Sequence, residues 1–97
     1  MKLHQIRYFL AICEEKSFTG AARRCGVKQP SITRAIKLLE DEVGGPLFVR
    51  SSKGIALSPF GAALHADFVR IEKNAVALQA KSETVSRFAA HDSQQSG

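Results

Sequence analysis

Much of what a reacting site needs is scarce in this sequence. Its three histidines, His4, His65 and His91, are scattered, and its two cysteines, Cys13 and Cys25, form no CxxC pair. No Cys/His cluster therefore has the spacing of a metal site. No glycine-rich phosphate loop follows a strand. These gaps speak against an enzyme and leave no metal or cofactor to expect.

Glycine and proline are also sparse, at seven and three in 97 residues, and 44% of the chain is hydrophobic. That composition excludes fibrous and disordered classes and fits a small domain with one compact core. Apolar runs fall far short of the roughly 20 residues needed to span a bilayer, and the N-terminus lacks the basic-then-apolar layout of a secretory signal. The expectation is a cytoplasmic protein with no membrane partner. In that setting Cys13 and Cys25 read as reduced core residues; a redox pair is the sharper alternative, but no cationic neighbours mark either thiol as activated.

Charge of one sign is concentrated in one half. Met1–Leu57 carries ten basic against five acidic side chains, and the remaining residues carry four of each, so the whole net charge of +5 lies in the first half. This asymmetry suits a polyanion-binding head joined to a neutral segment, although on charge alone a solvated basic surface fits as well.

Apolar periodicity divides the chain further. Leu3, Ile6, Phe9, Leu10 and Cys13 fall three and four apart, as one buried face of a first helix does. Ser17 is placed as an N-cap for a second helix, whose stripe Phe18, Ala21, Ala22 and Cys25 stops at Gly26. A third begins near Pro30 with Ile32, Ile36, Leu39 and Val43 inward, and ends at Gly44-Gly45-Pro46. Leu47–Arg50 and Ile55–Leu57, around Ser51-Ser52-Lys53-Gly54, predict a small β-hairpin. Ser58-Pro59 then opens a last helix. The expected fold is mainly α: a winged helix-turn-helix of three helices and a two-stranded wing over 1–58, then a long dimerisation helix over 59–90. A disordered tail is expected over 91–97.

The last helix bears a different signal. Leu64, Phe68, Ile71, Ala75, Leu78, Ser82 and Val85 alternate four and three apart, the spacing of a heptad seam. A head of this size cannot cover so long a helix, so self-association into a homodimer is expected.

In the head, Ala22, Gly26 and Ile32 have the layout of a helix-turn-helix: a small residue at a crossing, a glycine for the turn and an apolar anchor. With Ile32, Ile36, Leu39 and Val43 inward, the outer face near the start of the third helix shows Gln29, Pro30, Ser31, Thr33, Arg34 and Lys37. Amide, guanidinium, hydroxyl and apolar groups of this kind read base edges in the major groove of double-stranded DNA. Glu40, Asp41 and Glu42 at the far end would be repelled. Arg50, Ser52 and Lys53 suit a wing on the backbone or in a minor groove, and Lys28 a phosphate contact. Ser17 and Thr19 suit phosphate too, with a structural cap an equal reading for Ser17; Arg23 and Arg24 either grip phosphate or stay solvated.

The run from Phe9 to Arg50, followed by K-G-I-A-L-S-P-F-G at Lys53–Gly61, resembles the signature of LysR-type transcriptional regulators, with similarity from about Leu3 to Gly61. The resemblance implies a Gln-Pro-led recognition helix in the major groove, a wing near the minor groove, and dimerisation through antiparallel linker helices, with a higher oligomer open to a full-length form. It implies base or groove contacts from Gln29, Pro30, Ser31, Thr33 and Arg34, with Arg50 and Lys53 in the wing. Lys28 stands where the family usually has a capping serine, and Cys25 where it has leucine. The family continues into an effector domain, so no small-molecule effector is expected within these residues, whether the chain is an excised head or a naturally short regulator. A rival reading is an interaction module whose heptad helix joins a full-length regulator and poisons its DNA binding in mixed dimers.

Overall fold

The computed structural model describes the backbone of residues 1–96 and the side chains of residues 1–89; the tail expected over His91–Gly97 lies outside the fully described residues. The order is α1 (Leu3–Glu15), α2 (Phe18–Cys25), α3 (Gln29–Val43), β1 (Phe48–Ser51), β2 (Gly54–Leu57) and α4 (Pro59–Ser96).

The three head helices start and stop where local chemistry dictates. Gln5 accepts a hydrogen bond from the Lys2 backbone N–H at 3.0 Å, satisfying a donor at the start of α1. The Ser17 hydroxyl accepts from the Gly20 N–H at 2.9 Å and caps α2. Gly26 (φ 69°) and Gly44 (φ 96°) close α2 and α3 in the left-handed conformation, the region glycine enters without steric cost. Lys28 precedes α3 with no side-chain cap, as the absent serine implied, and Pro30 sits in the first turn, where a missing N–H costs nothing.

One core joins all of this. Phe9, Ile12, Ile32, Leu39 and Leu47 are fully buried at its centre, with Ile6, Ala21, Ala22 and Ile36 around them. Helix α1 touches α2, α3 and α4, so more of it is buried than a single stripe predicts: Gln5, Ala11 and Ile12 join Ile6 and Phe9 inside.

The wing is an antiparallel pair with Phe48 opposite Leu57 and Ser51 opposite Gly54, leaving Ser52-Lys53 as its loop. Phe48 ties it to the head, its ring 5.3 Å from Phe9 and 5.8 Å from Phe18, centroid to centroid. Its base is fixed by hydrogen bonds: Leu47 N–H donates to Glu40 Oε2 (2.7 Å), Ser58 N–H to the Leu47 carbonyl (2.9 Å), and Ser58 Oγ to the Pro46 carbonyl (2.5 Å).

At 38 residues and 1.5 Å per residue, α4 runs for about 57 Å, close to the 65 Å long dimension of the molecule. The structure divides the apolar seam read from its spacing. Phe68 is buried with its ring 4.8 Å from Phe9, and Leu64 is half-buried on the same core. These two residues, expected at a dimer seam, cover α1 instead. The 4-3 spacing marks an apolar face without saying what covers it, and Phe9 needs a cover. Arg7 Nε on α1 bonds Glu72 Oε2 at 2.8 Å. Beyond that ion pair Val76, Leu78, Val85 and Phe88 are more than half exposed, and Ile71 is 40% exposed.

Candidate nucleic-acid interface

Helix α3 turns opposite chemistries to its two sides. Ile32, Ala35, Ile36 and Leu39 are buried, whereas Gln29, Pro30, Ser31, Thr33, Arg34 and Lys37 are all exposed. Gln29, Pro30, Thr33, Arg34 and Lys37 line one shallow hollow along the N-terminal half of the helix. Ser31 is exposed but does not line it. Apolar anchoring on one side thus fixes the helix and leaves the other side to present two cations, an amide and a hydroxyl together.

A second hollow joins α3 to the wing. Thr33 and Lys37 line it from the helix and Arg50 from β1, over a floor that includes Phe18, Ile36 and Phe48. The Arg50 guanidinium carbon lies 5.3 Å from the centroid of the Phe18 ring, so a cation–π contact holds the arginine beside α3. Sequence reading placed Phe18 only in the core; no local signal reveals that its ring also seats Arg50. Ser52 and Lys53 stand exposed in the wing loop, apart from this hollow, where the Lys53 N–H donates to Ser51 Oγ at 3.2 Å.

The acidic end of α3 is less uniform than its charges suggest. Glu40 accepts from the wing base, a structural task, while exposed Asp41 lines the same hollow as Lys37 and Arg50. Positive potential is therefore greatest towards the start of α3 and weaker past Lys37.

The remaining basic and hydroxyl residues separate. Arg24 bonds Glu14 and lies 3.6 Å from Glu15, and these carboxylates, the Glu14 hydrogen bond foremost, raise its pKa. It is thus paired with α1 carboxylates at the surface. Arg23 is exposed with no acidic partner within ion-pair distance among the described residues. Ser17 is engaged as the α2 cap, which favours its structural reading. Thr19, expected at phosphate, instead donates its hydroxyl to Gln29 Oε1 at 2.9 Å. Lys28 is exposed at the turn.

Neither cysteine is disulfide-bonded, and both are half-buried. Burial first, and the Glu14 charge second, push the Cys13 thiol up to about 11 from 9.0. At pH 8 its thiolate fraction should be roughly 100-fold below that of the unfolded chain. Peptide-resolved iodoacetamide labelling is expected to show Cys13 protected by about that factor; equal rates in native and urea-unfolded protein would refute it. Among the described residues no helix is long and apolar enough to cross a membrane, and no group of His, Cys, Asp and Glu is placed to hold a metal.

Three comparisons bear on this arrangement. Residues 3–62 match the bacterial regulatory helix-turn-helix protein, lysR family. The transcriptional regulator BudR of Klebsiella aerogenes is 44% identical over 71 residues, covering 73% of this chain, and the chain spans half of that protein's length. Among solved structures, the BenM DNA-binding domain in complex with catB site 1 DNA superposes with a TM-score of 0.82 at 31% identity, covering 89% of this chain and 97% of that one. The CbnR DNA-binding domain, also crystallised with DNA, superposes at 0.80 with 36% identity, over 89% of this chain and 99% of that one. The match of family and fold makes this chain a DNA-binding winged helix-turn-helix with its linker helix, a regulator module and not an enzyme, and it belongs to the LysR family of bacterial transcriptional regulators.

Proposed function

We propose that the chain reads an interrupted inverted repeat on double-stranded DNA as a homodimer, with α3 in successive major grooves and the wing on the backbone or in the adjacent minor groove. One observation carries the reading: the N-terminal half of α3 is backed by fully buried Ile32 and Leu39 and presents Gln29, Pro30, Thr33, Arg34 and Lys37 on one exposed hollow. The DNA complexes of the BenM and CbnR domains support it, since each covers nearly the whole of a similar fold. Reading chromosomal DNA puts the protein in the cytoplasm.

Within this reading Arg34 and Gln29 specify bases, Thr33 and Pro30 pack against thymine methyls, and Ser31 serves base or phosphate at the flank. Lys37 reaches the groove beside them, Arg50, Lys53 and Lys28 neutralise phosphates, and the Ser52 hydroxyl donates to one. Sequences selected from a random duplex pool supply the specific target. Arg34→Ala should then cost about 1 to 3 kcal/mol on selected DNA and flatten preference at one base pair in each half-site. Arg50→Ala should weaken selected and random DNA alike and reduce the salt slope of log K by about 1. Titrations by fluorescence anisotropy at several salt concentrations separate the two. Equal losses on selected and random DNA for Arg34→Ala would remove its base-reading role. A chain that binds no duplex alone, yet pairs with a full-length regulator, would favour the mixed-dimer module.

A further inference from the structure

We propose that Thr19 is a positioning residue that decides which base edge Gln29 reads. The inference rests on the groove-facing reading of α3 and adds a specificity determinant on α2. Thr19 lies in the first turn of α2 and Gln29 opens α3, so the turn at Gly26 brings the two side chains together across the helix-turn-helix. The Thr19 hydroxyl donates to Gln29 Oε1 at 2.9 Å. A primary amide has one acceptor end and one donor end. With the carbonyl oxygen turned back to Thr19, the NH2 is directed away from it, and Gln29 is exposed and lines the hollow on α3.

The consequence is a choice of partner. Adenine is read bidentately by glutamine only when oxygen and nitrogen both face the base, the oxygen accepting from N6–H and the nitrogen donating to N7. A glutamine whose oxygen is turned towards Thr19 keeps a second lone pair on that oxygen but leads with its NH2, whose donors match the acceptor edges of guanine (O6, N7) or thymine (O4). Thr19 thus turns a potential adenine reader into an acceptor reader without itself touching a base, and its hydroxyl is not a phosphate ligand.

The test compares base preferences of the full chain and three variants on a random duplex pool. Gln29→Ala identifies the base pair that Gln29 reads. At that pair the unaltered protein should select guanine or thymine. Thr19→Val, which keeps the shape and removes the hydroxyl, should move the preference towards adenine by about fivefold, the worth of one net hydrogen bond. Thr19→Ser should restore the original preference. Adenine already preferred by the unaltered protein, an unchanged profile in Thr19→Val, or a uniform loss of affinity at all sequences would each overturn the assignment. A chain selecting no sequence at all would instead overturn the function it rests on. Thermal melts of the variants detect a merely structural role, which would lower stability without redistributing base preference.

Discussion

Gly61→Ala is expected to destabilise the protein by about 3 kcal/mol or more, lowering Tm by roughly 12 to 24 °C. Alanine is the better helix former by about 1 kcal/mol, so an open site in α4 would give the opposite sign. Clearance decides the matter. A Cβ built on Gly61 lies 2.2 Å from the Leu47 carbonyl oxygen and 3.0 Å from its carbon. Those are backbone atoms with little freedom to retreat. The Leu47 carbonyl accepts from Ser58 N–H at 2.9 Å, its N–H is held by Glu40 at 2.7 Å, and its side chain is fully buried. Gly61 cannot withdraw either, since its own N–H donates to Ser58 Oγ at 2.8 Å, capping α4. The extra methyl must therefore part α4 from the wing base, and DNA affinity should fall alike on every sequence. Gly26→Ala provides the contrast. A Cβ there meets nothing within 4 Å, so it bears only the strain of φ 69°, about 1 to 2 kcal/mol. Urea or thermal melts of both variants check the order; a Gly61→Ala protein as stable as the parent would refute the close approach.

That close approach is invisible in the sequence, whereas the elements it joins are not. Helix α3 was legible because Ile32, Ile36 and Leu39 recur at helical spacing and Gly44 ends the pattern. Ser17 and Ser58 were legible as caps because a hydroxyl before an apolar run has one favoured use there. Burial in α1 was read too narrowly: Ala11 and Ile12 lie off the expected stripe yet are buried, because α1 meets α2, α3 and α4 and not a single neighbour. The wing strands take in Ser51 and Gly54, expected in the loop, leaving only Ser52 and Lys53 between the paired positions.

Side-chain pairings were legible least. Whether Arg24 meets phosphate or Glu14, whether Thr19 meets phosphate or Gln29, and what Arg50 rests on all depend on the crossing of helices far apart in sequence. Composition supplied the basic head, but the crossing of α1 and α2 sets Arg24 beside Glu14, and the seating on Phe18 places Arg50 beside α3. The sequence therefore sufficed to put the candidate α3 residues on one exposed face, but not to name the side chains they meet.

Charging the outer part of α4 is expected to separate two copies of the chain. Leu64 and Phe68 face the head, so the face open to a partner begins at Ile71 and continues through Ala75, Leu78 and Val85, with Val76 and Phe88 beside it. Past the Arg7–Glu72 ion pair no part of the head is shown covering this face, and a helix standing alone in water is marginal without tertiary packing. In the proposed homodimer a second copy would supply the missing cover by repeating the same face, each apolar group removed from water contributing about 25 cal/mol per Å². The double variant Ile71→Glu, Leu78→Glu places carboxylates across such a seam without touching the head's core. Light scattering should report monomers where the parent is a dimer, and the Tm of the head should change little. Affinity for selected DNA should drop by on the order of 100-fold or more, because two linked half-site contacts become one. A double variant that remains dimeric at the same concentration would sink the seam, and with it the two-fold reading of the DNA.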